Sequence, residues 1–258
     1  MFEVHALHGF LGKPSDWDFL KVEPFKLIKH DINAICMPSK QNNLVAWGKQ
    51  FNQTLDPKKK KVLLSYSLGT RLGMQALIQN PNHWKGAILI SGNTGLENEK
   101  ERNSRLEADM VWHGKFKNAD SWTNLMEEWN SQSVFGNNIK TLPRNEKDYD
   151  RETLANIFKY WSLGLQENLK DQVEQLPIPI FWIAGQNDAR YANIAQKMRL
   201  KHPLSKVWIA ENAAHRVPWE ISDIFRQKIL TFLHNLQEAY ANERENFHLG
   251  NSSNLQRH

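Results

Sequence analysis

Three residue types able to move a proton lie in the chain in the order Ser, Asp, His. The segment Val62-Leu63-Leu64-Ser65-Tyr66-Ser67-Leu68-Gly69-Thr70-Arg71 carries an apolar, strand-like run straight into S-x-S-x-G, and a helical pattern follows at once. A serine on a sharp strand-to-helix turn presents its hydroxyl at a helix N-terminus, where a histidine can take its proton. The turn is tight, so small residues must flank the serine; Gly69 meets that need, and Ser65 stands where a first glycine is usual. The plainer reading, Ser67 as a helix N-cap, requires no acid or base downstream. Both are present. Ile180 to Ala184 is an apolar run followed by Gly185 and Asp188, and His215 lies just past the run Lys206–Ile209. In this arrangement His215 is the base and Asp188 holds its tautomer and supports the imidazolium. Asp188 also reads as an N-cap for a helix starting near Tyr191, and the two roles are compatible.

Charge developing on a substrate oxygen needs fixed N–H donors. The N–H of Leu68, directly after the serine, is one candidate. His8-Gly9-Phe10 follows the first strand-like run and offers the N–H of Phe10 as the second. No pair of histidines has metal-ligand spacing, so no metal is expected. The single cysteine, Cys36, rules out an internal disulfide and fits a reducing compartment.

These residues need a scaffold that brings strand ends together. Compact apolar runs, as expected of strands buried on both faces, occur at Glu3–Leu7, Ile32–Cys36, Val62–Ser65, Ala87–Ser91, Ile178–Ala184 and Lys206–Ile209. Helical spacing links Leu44, Trp47, Phe51 and Leu55, then Leu68, Leu72, Gln75 and Ile78 up to Asn80-Pro81, and finally Ile221, Phe225, Ile229 and Phe232. The alternation predicts a mostly parallel sheet flanked by helices; with the serine elbow and the Ser, Asp, His order it resembles the α/β-hydrolase fold. From Gly95 to about Leu176 no strand pattern appears, and four tryptophans stand among short helical patterns. The expected organisation is a core from residues 1–94 and 177–240, an inserted helical cap over 95–176, and a flexible tail over 241–258.

The net charge is +5, but the basic residues are dispersed and the longest basic run is Lys58 to Lys61 before a strand. That argues against a nucleic-acid partner and leaves an anionic small molecule open. No apolar run approaches the roughly 20 residues that span a bilayer, and no basic leader precedes Phe2–Leu7. A cytoplasmic monomer or homodimer without membrane attachment is expected.

Beyond these features the chain resembles the 2-succinyl-6-hydroxy-2,4-cyclohexadiene-1-carboxylate synthases of menaquinone biosynthesis. Leu7-His8-Gly9-Phe10-Leu11-Gly12 with Asp16-Trp17 is similar to their opening segment, and Tyr66-Ser67-Leu68-Gly69-Thr70-Arg71 to their elbow. Ile90-Ser91-Gly92-Asn93-Thr94-Gly95-Leu96, the spacing of Arg102, Arg105, Asp109 and Trp112, the pair Trp129 with Val134-Phe135, and Leu154-Ala155 followed by Gly164-Leu165-Gln166 extend the likeness over most of the chain. Ser65, Thr70, Thr94 and Ala214 depart from it, Thr94 standing where proline is usual and Ala214 where glycine is usual before the histidine.

The resemblance implies a cofactor-independent lyase that eliminates pyruvate from a small polycarboxylate, with the Ser67–His215–Asp188 triad acting as a base. It implies that Arg71, Arg105 and a third cation bind carboxylates, and that Tyr66 and Trp129 pack on the substrate ring. Arg144 is the best candidate for the third cation, with Lys147 and Arg151 as alternatives. Arginine suits the task through its bidentate fork. Plainer readings exist: Arg71 paired with a surface acid, Arg105 solvated on a helix with Glu101 and Asp109 at helical spacing, and the aromatics as core. Two other functions use the same sequence, a carboxylesterase or thioesterase acylating Ser67 and a non-enzymatic binding protein of the same fold. The second would be marked by a missing triad member, and none is missing.

Overall fold

The computed structural model describes residues 1–136 and 141–254. Six strands form one parallel sheet: β1 (Glu3–Leu7), β2 (Lys26–His30), β3 (Lys61–Tyr66), β4 (Trp84–Ile90), β5 (Ile180–Gly185) and β6 (Lys206–Ala210), in the spatial order β2-β1-β3-β4-β5-β6. Alternate residues serve opposite faces. Leu63 of β3 and Trp182 of β5 enter one core cluster; Val62, Leu64, Phe181 and Ile183 enter the other.

Five of the six strands fall where apolar runs predict them. The run Ile32–Cys36 does not form a strand. Its first four residues make a single helical turn, α1 (Ile32–Ile35), capped by the Asp31 carboxylate, which accepts from the N–H of Asn33. The second strand is instead the preceding Lys26–His30, at the sheet edge. An edge strand is open to solvent on one side, so it tolerates lysines and lacks the uniform apolar character of its neighbours. Ile32 is buried from the helical turn, which explains an apolar run outside the sheet.

Helices α2 (Leu44–Thr54) and α3 (Leu68–Gln79) follow their predicted spacing. Asn43 caps α2 by accepting from the N–H of Ala46. Between β4 and β5 the chain leaves the sheet and builds α4 (Glu99–Asn118), α5 (Trp122–Asn130), α6 (Arg151–Tyr160) and α7 (Lys170–Glu174), with no strand among the described residues of 95–176. Its interior is aromatic: Trp112, Phe116, Trp129 and Phe158 pack mutually with ring centroids 5.0–6.4 Å apart. Helix α8 (Ala189–Lys197) follows β5, and the short α9 (Val217–Glu220) holds Pro218. The last helix is α10 (Ser222–Asn254), so Pro218 belongs to a separate turn before it. Its backbone stays helical past Ala241, where the apolar periodicity fades, through a stretch that no proline interrupts. Residues 255–258 of the expected tail lie outside the described residues.

The chain leaves β1 toward β2 on one side and returns to β3 on the other. That reversal opens a crevice beyond the carboxyl ends of β1 and β3, the usual ligand position in open α/β sheets. No helix of the described residues is long and apolar enough to cross a membrane.

Candidate active site

The crevice holds the Ser, Asp and His read from the sequence. Ser67 sits between β3 and α3 with φ +53° and ψ −115°, a strained conformation for a side-chain-bearing residue. Surrounding bonds hold it there: its N–H donates to the Ile90 carbonyl at 2.9 Å, and the Thr70 hydroxyl donates to the same oxygen at 2.9 Å. Gly69 is required by close approach. A Cβ there would lie 2.4 Å from the His8 carbonyl oxygen, so only glycine lets the elbow press against the loop after β1. Ser65 is fully buried and accommodated.

The Ser67 side chain makes no capping bond to α3. Its Oγ lies 2.9 Å from His215 Nε2, and His215 Nδ1 lies 2.7 Å from Asp188 Oδ2. Asp188 and His215 are both buried, so water competes weakly for the pair. Asp188 also caps α8, its other oxygen accepting from the Tyr191 N–H at 3.4 Å. Both readings of this residue therefore describe it.

The loop bearing His215 is fixed from three sides. The Glu220 carboxylate accepts from the N–H of Ala214 at 2.6 Å and of Arg216 at 2.8 Å, and the Ser91 hydroxyl donates to the His215 carbonyl at 2.8 Å. Gly185, at the end of β5, leaves no room between the acid and this loop: a Cβ there would sit 2.0 Å from the Ala214 carbonyl oxygen. Glu220 and Ser91 were not singled out for this role from the sequence, because a clamp between a one-turn helix and a loop has no local pattern.

His8 is structural. Its Nε2 accepts from the Ile32 N–H at 3.2 Å, which leaves Nδ1 to donate to the Gly9 carbonyl at 2.8 Å. This shapes the loop carrying Phe10. Phe10 and Leu68 both line the cavity that Ser67 opens into, and the Phe10 ring packs outward into the insertion, 4.8 Å from Trp129 and from Phe158 and 5.1 Å from Phe116.

That cavity has a volume of about 560 Å³ and lies between the sheet's carboxyl edge and the helical insertion. All ten residues singled out from the sequence line it. Arg71 is buried, its Nε donating to Gln166 Oε1 at 2.7 Å while Nη2 has no partner. Burial pushes its pKa down to about 10, which still leaves it charged at neutral pH. Gln166 is oriented in turn by donating to the Asn93 carbonyl at 3.0 Å. Arg105 Nε donates to Asp109 at 2.8 Å, within the helical pairing expected for α4, and Asp109 accepts the Ser162 hydroxyl at 2.6 Å.

Arg144 behaves differently. Both of its terminal nitrogens donate to the Asp16 carboxylate, at 2.8 and 2.7 Å, so its fork is already engaged. Tyr66 is buried, its ring 5.5 Å from that of His215 and 4.8 Å from that of Trp219, and burial raises its hydroxyl above the ordinary tyrosine range. Trp129 is part of the aromatic interior of the insertion and faces the cavity from it. Arg216, next in sequence to His215, also lines the cavity and was not singled out; its position beside the base was the available signal. Among the described residues no cluster of three His, Cys, Asp or Glu could hold a metal ion.

No family model matches the chain. Its sequence is 27% identical over 221 residues to a 2-succinyl-6-hydroxy-2,4-cyclohexadiene-1-carboxylate synthase of Photorhabdus laumondii, covering 81% of this chain and 78% of that protein. It is also 27% identical over 238 residues to the protein of that name from Yersinia pestis, covering 88% and 85%. Among solved structures, MenH from S. aureus superposes with a TM-score of 0.80 at 22% identity, covering 91% of this chain and 94% of that one. A thermophilic esterase from Thermogutta terrifontis superposes with a TM-score of 0.68 at 16% identity, covering 92% and 90%. The chain therefore has the α/β-hydrolase fold, and its sequence is similar to those of 2-succinyl-6-hydroxy-2,4-cyclohexadiene-1-carboxylate synthases.

Proposed function

We propose that this chain is a carbon–oxygen lyase that eliminates pyruvate from 2-succinyl-5-enolpyruvyl-6-hydroxy-3-cyclohexene-1-carboxylate, giving 2-succinyl-6-hydroxy-2,4-cyclohexadiene-1-carboxylate. The observation that carries the reading is the pairing of a hydrogen-bonded Ser67–His215–Asp188 set with a buried arginine, Arg71, whose Nη2 is unpartnered in the same cavity. A substrate bearing carboxylates satisfies that nitrogen; a neutral ester leaves the charge buried and unmatched.

The chemistry follows from the geometry. His215 accepts the Ser67 proton, and the Ser67 oxygen removes the ring C2 proton, which is acidified by the neighbouring ketone of the succinyl arm. Asp188 holds the Nδ1–H tautomer and supports the imidazolium. The electron pair left at C2 forms C2=C3, the original C3=C4 pair shifts to C4=C5, and the C5–O bond breaks. The enolate of pyruvate leaves and takes up a proton at carbon. The N–H groups of Phe10 and Leu68 face the negative charge that grows on the ketone oxygen. Arg71 and Arg105 bind carboxylates, and Tyr66 and Trp129 bound the ring.

A proton shuttle of this kind needs no cofactor. Residues 95–176 act as a cap over a core made of 1–94 and 177–240. The cytoplasm is the compartment that suits a free buried Cys36.

The experiment supplies the enolpyruvyl substrate, made with the preceding enzyme of the route, and measures pyruvate with lactate dehydrogenase. Pyruvate release at catalytic enzyme levels is expected. No pyruvate, together with a stoichiometric burst of p-nitrophenolate from p-nitrophenyl esters, overturns the reading in favour of an acylating esterase.

A further inference from the structure

Five arginines line the cavity, and they differ in what already occupies them. Arg190 is exposed on α8. Arg105 is paired through Nε with Asp109. Arg144 is bound through both terminal nitrogens to Asp16. Only Arg71 and Arg216 combine a place on the cavity wall with a buried terminal nitrogen that has no partner and, among the described residues, no carboxylate within ion-pair distance.

Arg216 is held for binding. Its Nη2 donates to Asn130 Oδ1 at 2.5 Å, and its guanidinium carbon stands 3.9 Å from the centroid of the Phe135 ring. The stacking fixes the plane of the fork, and the amide fixes its rotation, leaving Nη1 buried without a hydrogen-bond partner in a guanidinium that neighbours the Tyr66 side chain. The nearby acid, Glu220, is taken by the backbone N–H groups of Ala214 and Arg216. An immobilised cation loses little further side-chain entropy when it binds an anion.

We propose that Arg216, rather than Arg144, is the cation that grips a substrate carboxylate on the His215 side of the site, opposite the Arg71 side. This rests on the polycarboxylate reading above. Arg71 lies one helical turn beyond Ser67, and Arg216 adjoins His215 in the chain, so each member of the proton-transfer pair has a cavity-lining cation tied to its own segment. A substrate anchored by carboxylates at both places has its intervening ring carbon held against the Ser67 oxygen, which is the alignment that proton abstraction needs. The Arg144–Asp16 pair joins the segment before α6 to the loop after β1 and supports the cavity wall as a tether.

The test uses the full-length protein and two readouts. The first is the dissociation constant for 2-succinylbenzoate, a stable aromatic dicarboxylate with the succinyl arm, followed by tryptophan fluorescence, since Trp129 faces the cavity. Arg216→Gln is expected to weaken binding by about 30-fold or more, the loss of one charge-assisted hydrogen bond. Arg216→Lys, which keeps the charge but not the fork, is expected to fall between the two, and shows that the site still folds. The paired change Asp16→Asn with Arg144→Gln, which leaves the net charge unaltered, is expected to change binding by less than about 3-fold. The second readout is pyruvate release, in which Arg216→Gln should raise KM more than it lowers kcat. Arg216→Gln binding within 3-fold of the parent overturns the assignment, as does a Asp16/Arg144 variant that loses most of its affinity. A parent protein that binds the dicarboxylate through Arg216 but releases no pyruvate sinks the lyase reading and leaves the anion site standing. Absence of any dicarboxylate binding by the parent removes the role of Arg216 along with that of Arg71.

Discussion

The Ser67 hydroxyl lies 2.9 Å from the Nε2 of His215, although 148 positions separate them in the chain. The sheet makes this possible. Ser67 leaves the carboxyl end of β3 and His215 follows the carboxyl end of β6, so parallel strands deliver both to one rim. The strained φ at Ser67 turns the hydroxyl away from α3 and toward the imidazole.

Ser67→Ala should therefore lower pyruvate release by at least about 10³-fold while the thermal midpoint changes by only a few degrees, because triad residues act as a unit. Steady-state kinetics and a melting curve on the same preparation decide it. Retained turnover takes Ser67 out of the mechanism.

Removing the Arg71 side chain deletes a charged donor whose Nη2 awaits a partner. Arg71→Ala should cost about 2–3 kcal/mol in kcat/KM. Because Arg71 is buried against Gln166, circular dichroism must accompany the kinetics. An unchanged kcat/KM with a folded variant places Arg71 outside the binding site.

Gly185 carries no chemistry, yet its replacement should damage the site. A Cβ there would meet the Ala214 carbonyl at 2.0 Å, and the atom in the way is backbone of the loop that holds His215. Gly185→Ala should destabilise the fold by about 1–3 kcal/mol and lower kcat through a displaced His215. Urea denaturation and kcat measured together check this; a variant with parental values in both shows that the loop yields freely.

Away from the cavity, His5 and His30 stack with ring centroids 5.1 Å apart at the β1–β2 pairing and share a contact of 2.8 Å between ring nitrogens. Burial lowers His5 to about 3, assisted by His30, Lys61 and Lys26, and burial lowers His30 to about 4. Both fall below the ordinary histidine value, so the unfolded chain binds more protons in the range between. The stability from keeping them neutral is complete above about pH 6.5 and drains as pH falls toward 4. Thermal melts should show a midpoint that drops between pH 7 and pH 5, and His5→Gln with His30→Gln should flatten that drop. An equal slope in the double variant refutes the assignment.

Much of this was legible in the residues themselves. The elbow, Asp188 and His215 announce themselves because each follows a strand-like run, buried in β3 and β5 and at the partly exposed edge in β6, and chain order does the rest. The β2 strand hid because an edge strand carries Lys26 and Lys29, while the more apolar Ile32 to Ile35 buries itself from a helical turn. The arginines show a different limit. The family resemblance makes Arg144 a candidate cation, but whether its guanidinium is available depends on Asp16, 128 positions away. Arg216 has no carboxylate partner among the described residues for the same kind of reason: Glu220 spends its oxygens on backbone N–H groups. Pairing of this sort is decided by the tertiary fold and leaves no local trace.

The outward packing of Phe10 has a bearing on how the enzyme would move. One residue, proposed to lend its amide to the reacting centre, lines the cavity and wedges its ring among Phe116, Trp129 and Phe158 of the helical insertion. Any hinge that lifts those helices must either drag the amide out of register or strip the ring from its packing. The loop that borders the cavity and the insertion above it are thereby coupled through a single side chain.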